Sequence, residues 1–308
     1  MMIKSALNLI PLLVIIISSC TNPVQDKKED LPEINGVTGS WNLDQYIDHV
    51  NKGQDWISYD DTILYQKHIT DSHFTWFKYD SKNDNLLGMG GGNYKIEKGN
   101  YIENIEFFYP PGSSELGQAI PFNLKFEKGM WYHSGMAKEY ELDIETGDME
   151  EVGTIMIEEI WKPTKSIINP DSKIQKTWDL RQYRTGLSLE YIEYPDFTGY
   201  IKLITPTHFV WTKYDKEGDE IYGAGAGTYL FKDDSYIESI NIIHPENTGQ
   251  VGSSIKFDFD VNDNKWKHFG YVPDFVVDES NGDIRNDSIL IDEYWIPHET
   301  EFTEEIFF

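Results

Sequence analysis

His73-Phe74-Thr75-Trp76-Phe77-Lys78-Tyr79-Asp80 returns 135 residues later as His208-Phe209-Val210-Trp211-Thr212-Lys213-Tyr214-Asp215. The match extends without a gap in both directions, from Tyr65–Ile105 onto Tyr200–Ile240, and 19 of those 41 positions are identical. Agreement of that density is the signature of duplication, and a fixed internal period has to be recognised before any motif is read. Gly88, Gly90, Gly92 and Tyr94 recur as Gly223, Gly225, Gly227 and Tyr229, and Tyr101-Ile102-Glu103 recurs as Tyr236-Ile237-Glu238.

Further along, Trp131 and His133 pair with Trp266 and His268. With a shift of one or two residues Trp41-x-Leu43-x-Gln45-Tyr46 meets Trp178-x-Leu180-x-Gln182-Tyr183, and Glu159-Ile160-Trp161 meets Glu293-Tyr294-Trp295. A period this long makes each copy a domain instead of a stacked solenoid unit. The domains are placed at 37–163 and 174–299, with a linker at 164–173 carrying Asn169 and Pro170 and a tail at 300–308.

Within each copy the apolar residues alternate with period two in segments of five to nine residues, the pattern of strands. Turn chemistry divides them at Asp84-Asn85, Lys98-Gly99-Asn100, Glu127-Lys128-Gly129 and Glu145-Thr146-Gly147-Asp148. The second copy offers Lys216-Glu217-Gly218, Lys232-Asp233-Asp234 and Asn281-Gly282-Asp283. Short connections of this kind predict an antiparallel meander. A meander of this length must hide its edges, and closing into a barrel does that most completely. The predicted fold class is all-β, with two tandem antiparallel barrels.

The opening Gly39-Ser40-Trp41 on the first strand resembles the start of lipocalins. The His-Phe-x-Trp, Gly-x-Gly-x-Gly-x-Tyr and Tyr-x-Glu-x-Ile series resemble lipocalin-like domains of bacterial lipoproteins, over nearly all of both copies. The second copy departs at its opening, with Lys176-Thr177 before Trp178. The resemblance implies a cup that can hold a ligand, although some such folds are filled by side chains.

At the other end of the chain, Lys4 precedes an apolar run from Ala6 to Ile17, and Ile17-Ser18-Ser19-Cys20 follows. The run is shorter than the roughly 20 residues that span a membrane and fits a secretory signal, residues 1–19. Its last four residues resemble the lipobox of bacterial lipoproteins. That resemblance implies lipidation at Cys20, a flexible tether over 20–36, and a place at the cell envelope, with Thr21 favouring the outer membrane. Cys20 is the only cysteine of the 308 residues, so no internal disulfide and no cysteine metal site is possible.

The net charge of −27 argues against nucleic acid, whose phosphates need a basic partner, and suits a soluble envelope protein. Acyl-transfer chemistry has no support, for want of a Gly-x-Ser-x-Gly motif. No enzymatic activity, cofactor or metal is assigned. Asp260-x-Asn262-x-Asn264 lacks the glycine and glutamate of a calcium loop and reads as a turn. The alternating glycines are read as strand residues that permit coiling and close approach, because no helix follows to receive a phosphate.

Alternate residues of a strand share a face. Tyr101, Glu103, Ile105 and Phe107 are therefore expected to point inward together, as are Tyr236, Glu238, Ile240 and Ile242. Trp131 with His133, Trp266 with His268, Glu159 with Trp161, and Glu293 with Trp295 are expected to join them. One reading makes Glu103, His133, Glu159 and their copies Glu238, His268 and Glu293 the polar anchors of a mostly apolar pocket. The other makes them a network that satisfies itself and binds nothing. His73 and His208, on the face opposite Phe74-x-Trp76, are read as outward or turn-adjacent.

Three functions follow in order. The first is a lipid-anchored binder of a small apolar or amphiphilic molecule, one cavity per barrel. The second is a structural or protein-interaction module with filled barrels, whose contact is sought first at Tyr191–Phe197. The third is an acid/base enzyme using Glu103 and His133. A lined cavity favours the first or third, and a filled interior favours the second.

Overall fold

Strand-forming sequence separated by short turns produces 18 strands and no helix among the described residues. A computed structural model describes residues 36–298 other than 52, 143–148, 170–172, 187, 189, 218, 233–234, 247–250, 263–264 and 278–283. The signal, Cys20, nearly all of the tether, the tail at 300–308 and the turns at Glu145–Asp148, Asp233-Asp234 and Asn281-Gly282-Asp283 lie outside the described residues.

The first copy forms β1 (Gly39–Ile47), β2 (Trp56–Ile57), β3 (Ile63–Ile69), β4 (His73–Asp80), β5 (Asn85–Glu97), β6 (Asn100–Tyr109), β7 (Ala119–Glu127), β8 (Met130–Leu142) and β9 (Met149–Pro163). The second forms β10 (Thr177–Tyr183), β11 (Ile192–Glu193), β12 (Thr198–Ile204), β13 (His208–Asp215), β14 (Ile221–Lys232), β15 (Ser235–His244), β16 (Ser254–Asn262), β17 (Lys265–Val277) and β18 (Ile284–Pro297). Each set is an antiparallel meander closed by its first and last long strands, through Trp41↔Pro163 to Tyr46↔Glu159 and through Trp178↔Pro297 to Tyr183↔Glu293. The two-residue β2 and β11 stand outside the ring, paired to β1 and β10, so each barrel has eight strands. Closure removes the sheet edges.

Alternation decides what fills the barrels. Trp41, Phe74, Tyr101, Phe122, Trp131 and Trp161 are buried in the first, and Trp178, Phe209, Tyr236, Phe257, Trp266 and Trp295 in the second. The glycine series lies within β5 and β14, where a Cβ on Gly90 would sit 2.9 Å from the Trp76 indole and one on Gly225 2.6 Å from that of Trp211. Glycine at these positions lets a tryptophan lie flat against the neighbouring backbone.

One expectation is corrected here. Phe107 and Ile242 do not point inward with Tyr101 and Tyr236. Between Gly91↔Phe107 and Gly92↔Ile105 the extra residue Glu106 bulges from β6, and Asn241 does the same in β15. A bulge inserts one residue and reverses the alternation beyond it. Phe107 and Ile242 therefore face outward, into a third apolar cluster that joins the barrels, while Phe108 and Ile243 turn in.

That cluster makes a seam from the outer faces of β3–β6 and β12–β15. Phe77, Tyr79, Leu86, Met89 and Phe107 meet Ile201, Leu203, Val210, Tyr214, Ile221 and Ile242 there. The polar contacts repeat under the internal symmetry: Ser40 Oγ lies 2.7 Å from Thr205 Oγ1, and Thr70 Oγ1 lies 2.6 Å from Thr177 Oγ1. Since Ser40 corresponds to Thr177 and Thr70 to Thr205, each copy contributes the same patch to the other, as in an isologous dimer interface. Both barrels belong to one compact unit, Glu33–Phe308.

His73 and His208 leave their barrels outward, at the first position of β4 and β13, but the packing of the seam keeps them from solvent, at 1% and 4% exposed. His208 packs against His68 with the rings tilted and their centres 5.0 Å apart, and His73 meets His298 edge to face at 4.2 Å.

Candidate functional site

A carboxylate inside an aromatic barrel needs a counter-charge or hydrogen bonds, because burial of an uncompensated charge costs several kcal/mol. Each barrel supplies a lysine. On β3 the side chains of Tyr65, Lys67 and Ile69 alternate inward, and Lys67 Nζ lies 2.6 Å from Glu103 Oε1 on β6. On β12, Tyr200, Lys202 and Ile204 repeat the arrangement, with Lys202 Nζ 2.5 Å from Glu238 Oε1 on β15. Both pairs are nearly sealed from solvent. Aromatic rings surround each ammonium: Lys67 Nζ is 5.2 Å from the Trp161 ring and 5.6 Å from that of Trp131. Lys202 Nζ is 5.2 Å from Trp266 and 5.5 Å from Phe209.

Glu159 and Glu293, on β9 and β18, form a second polar group with the histidines. His133 Nδ1 lies 3.0 Å from Glu159 Oε2, which also accepts the Trp161 indole N–H at 2.9 Å. His268 Nδ1 lies 3.3 Å from Glu293 Oε2, with the Trp295 N–H at 3.0 Å. Burial, then the nearby Lys67 or Lys202, holds both histidines well below the usual imidazole range, so they are neutral. Burial raises Glu159 and pushes Glu293 up to about 7. A neutral imidazole that donates from Nδ1 leaves a lone pair on Nε2.

The ten site residues read from the sequence thus form two matching constellations, Tyr101, Glu103, Trp131, His133 and Glu159 in one barrel and Tyr236, Glu238, Trp266, His268 and Glu293 in the other. The same three buried polar atoms lack a hydrogen-bond partner in both, Tyr101 Oη, Trp131 Nε1 and His133 Nε2 in one and Tyr236 Oη, Trp266 Nε1 and His268 Nε2 in the other, where Glu238 Oε1 joins them despite its ion pair with Lys202. Glu103 and His133 do not hydrogen-bond; His133 Nε2 is 3.8 Å from Glu103 Oε1. Among the described residues no three His, Cys, Asp or Glu side chains gather as metal ligands.

Lys67 and Lys202 are the members of this cluster to which no sequence motif points. Their signal is a lysine flanked at both i−2 and i+2 by inward apolar or aromatic residues, kept in both copies. No motif points to Glu115 either. It sits half-buried in the connection between β6 and β7, and burial followed by the charges of Glu103 and Glu159 pushes it up to about 7. The corresponding Gln250 lies outside the described residues.

The second barrel holds an open-mouthed cavity of about 150 Å³. Lys202, Glu238, His268 and Glu293 form its polar part, Tyr200, Trp211, Phe257 and Trp295 its aromatic walls, and Ile240, Ile255, Val272, Ile289 and Ile291 its aliphatic side. Ile289 is 48% exposed and marks the mouth.

Neither a family model nor a curated protein matches the chain. Three chains of solved structure do. One is a single-substitution mutant of the vaccine antigen transferrin binding protein B from Haemophilus parasuis Hp5. The similarity is 7% in sequence, with a TM-score of 0.22, and covers 84% of this chain and 75% of that one.

Proposed function

We propose that the chain is a small-molecule binding protein of the cell envelope, held by a lipid at Cys20, whose second barrel takes a small amphiphile. The observation that carries this reading is the second-barrel cavity, where an aliphatic entrance opens on a polar, partly unpaired floor. Ligand sites have this composition, a mostly apolar wall with a few placed polar groups. The size limits the guest: a cavity near 150 Å³ admits a molecule of about the bulk of benzene. The first barrel carries the same aliphatic positions in Ile105, Ile120, Ile155 and Ile157, with Glu115 added beside the polar cluster.

The test uses Ile289→Trp, which narrows the mouth from a half-exposed position without overfilling the core. Native mass spectrometry of the purified protein, and titration with hexylamine, hexan-1-ol and hexanoate followed by tryptophan emission, measure occupancy. Saturable binding of at least one probe, lost in Ile289→Trp, is the expected result. No saturable binding by any of the three overturns the reading.

A second reading, a protein-interaction module, is favoured by Phe197 and Ile192, both exposed on the second barrel beside the half-buried tyrosines of the same segment. Tyr191 is tied to Asp292 at 2.7 Å and Tyr194 packs against Tyr183 and Tyr200, so that segment is a fixed apolar platform.

A further inference from the structure

Resting on the cavity reading above, we propose that the second-barrel site selects organic cations, small primary alkylamines bound as ammonium ions by Glu293 and His268. The polar floor divides into two parts. Lys202 and Glu238 neutralise each other at 2.5 Å. Glu293 hydrogen-bonds to neutral partners only, the Trp295 indole and the His268 imidazole, with the already paired Lys202 acting on it from farther away. The charged group on the floor that no lysine or arginine pairs directly is therefore a carboxylate.

The atoms on the floor without a hydrogen-bond partner, His268 Nε2 and Glu238 Oε1, are both acceptors and point to the same chemistry. His268 is 3% exposed, its Nδ1 donates to Glu293, and its Nε2 has no hydrogen-bond partner and lies 4.0 Å from Glu238 Oε1. Nε2 is thus an acceptor facing another acceptor, and a guest has to bring hydrogens to both. An ammonium brings three and a positive charge, an alcohol brings one, and a carboxylate brings none and meets Glu293 with like charge.

The walls agree. Trp295 and Phe257, which line the cavity, already stand within 6.0 Å of the Lys202 ammonium, an arrangement of rings that favours cations. The net charge of −27 raises the concentration of cations around the molecule as a whole.

A pH dependence follows from the groups that face Glu293: Lys202 on β12, Glu238 on β15, His268 on β17, Asp292 beside it on β18, and Tyr194 and Tyr200. With its carboxyl pushed up to about 7, Glu293 is partly protonated near neutrality. An ammonium ion favours the ionised form, so binding releases a proton and tightens as pH rises from about 6 to about 8. An alkylamine keeps its charge across that interval, its pKa being near that of lysine, about 10.4.

The experiment compares hexylamine, hexan-1-ol and hexanoate on the intact protein and on Glu293→Gln, over that pH interval, by calorimetry. Hexylamine is expected to bind about tenfold more tightly than hexan-1-ol at about pH 8, with a smaller margin at about pH 6. Glu293→Gln is expected to bind the amine and the alcohol alike. If hexan-1-ol or hexanoate binds as tightly as hexylamine, the cation preference is wrong while the ligand site stands. If none of the three binds saturably, or Ile289→Trp binds them unchanged, the site itself is wrong. Should Glu293→Gln fail to fold, the intact protein still decides: amine affinity that is flat or falls with rising pH overturns the proposal.

Discussion

At the scale of single residues, the interior is organised around a lysine that each barrel keeps from water. Lys202 and Glu238 are worth little as a pair against a well-packed apolar substitute, but each is costly to leave alone. Lys202→Met is expected to destabilise the protein by about 3–5 kcal/mol, because Glu238 is then a buried charge without a partner. Adding Glu238→Gln to it is expected to recover a large part of the loss, which a double-mutant cycle in urea measures; equal losses in the single and double variants would refute the pairing. The glutamates and histidines of this cluster were legible in the sequence because alternation put them beside apolar neighbours. The lysines were not, since lysine on a strand ordinarily faces solvent and nothing in a motif search asks what neutralises an interior glutamate. The same question, asked of Glu103, leads to Lys67, which is kept as Lys202 in the copy.

At the scale of elements, period-two alternation gives the correct inward face along β6 as far as Ile105 and fails at Phe107. The cause is the bulge at Glu106, repeated at Asn241. A single extra residue is invisible in the alternation itself, because the segment beyond it is equally apolar on both faces. The glycine series, in contrast, reads correctly as strand. Its function is to let Trp76 and Trp211 lie on bare backbone, and this yields a graded prediction. Gly225→Ala, with a Cβ 2.6 Å from the Trp211 indole, is expected to destabilise more than Gly90→Ala, with 2.9 Å to Trp76. Costs of roughly 1–3 kcal/mol are typical of such overpacking, and thermal unfolding of the two variants ranks them. An unchanged midpoint for Gly225→Ala would show that the indole moves aside freely.

At the scale of the whole molecule, the duplication explains why the barrels pack as they do and where acid should act on them. Two copies that present one patch to each other bury the histidines that each carries on it, and the seam gives them hydroxyls for company. His208 Nδ1 meets Thr207, His73 Nδ1 meets Ser72 and His68 Nδ1 meets Ser40. Burial lowers His73 to about 3 and His208 to about 4, and holds His68, His133 and His268 well below the usual range. Each of these binds a proton in the unfolded chain before it does so in the folded one. Their stabilisation is complete above about pH 6.5 and is lost as pH falls toward the folded values, by up to about 1.4 kcal/mol per pH unit for each histidine. Glu115 and Glu293, raised to about 7, act with the opposite sign, losing stability as pH rises from about 4.5 to about 7, and Glu159, also raised by burial, acts in the same sense. His298, raised by its bond to Asp179, also favours the folded state at low pH. Five histidines against these groups set the direction, so the unfolding free energy is expected to fall between about pH 6.5 and about pH 4. His73→Gln and His208→Gln are expected to flatten that fall, because both act at the seam and neither touches a barrel interior. Urea unfolding of the intact protein and of the two variants across the interval measures it, and a stability that rises on acidification would show that the buried carboxyls outweigh the seam.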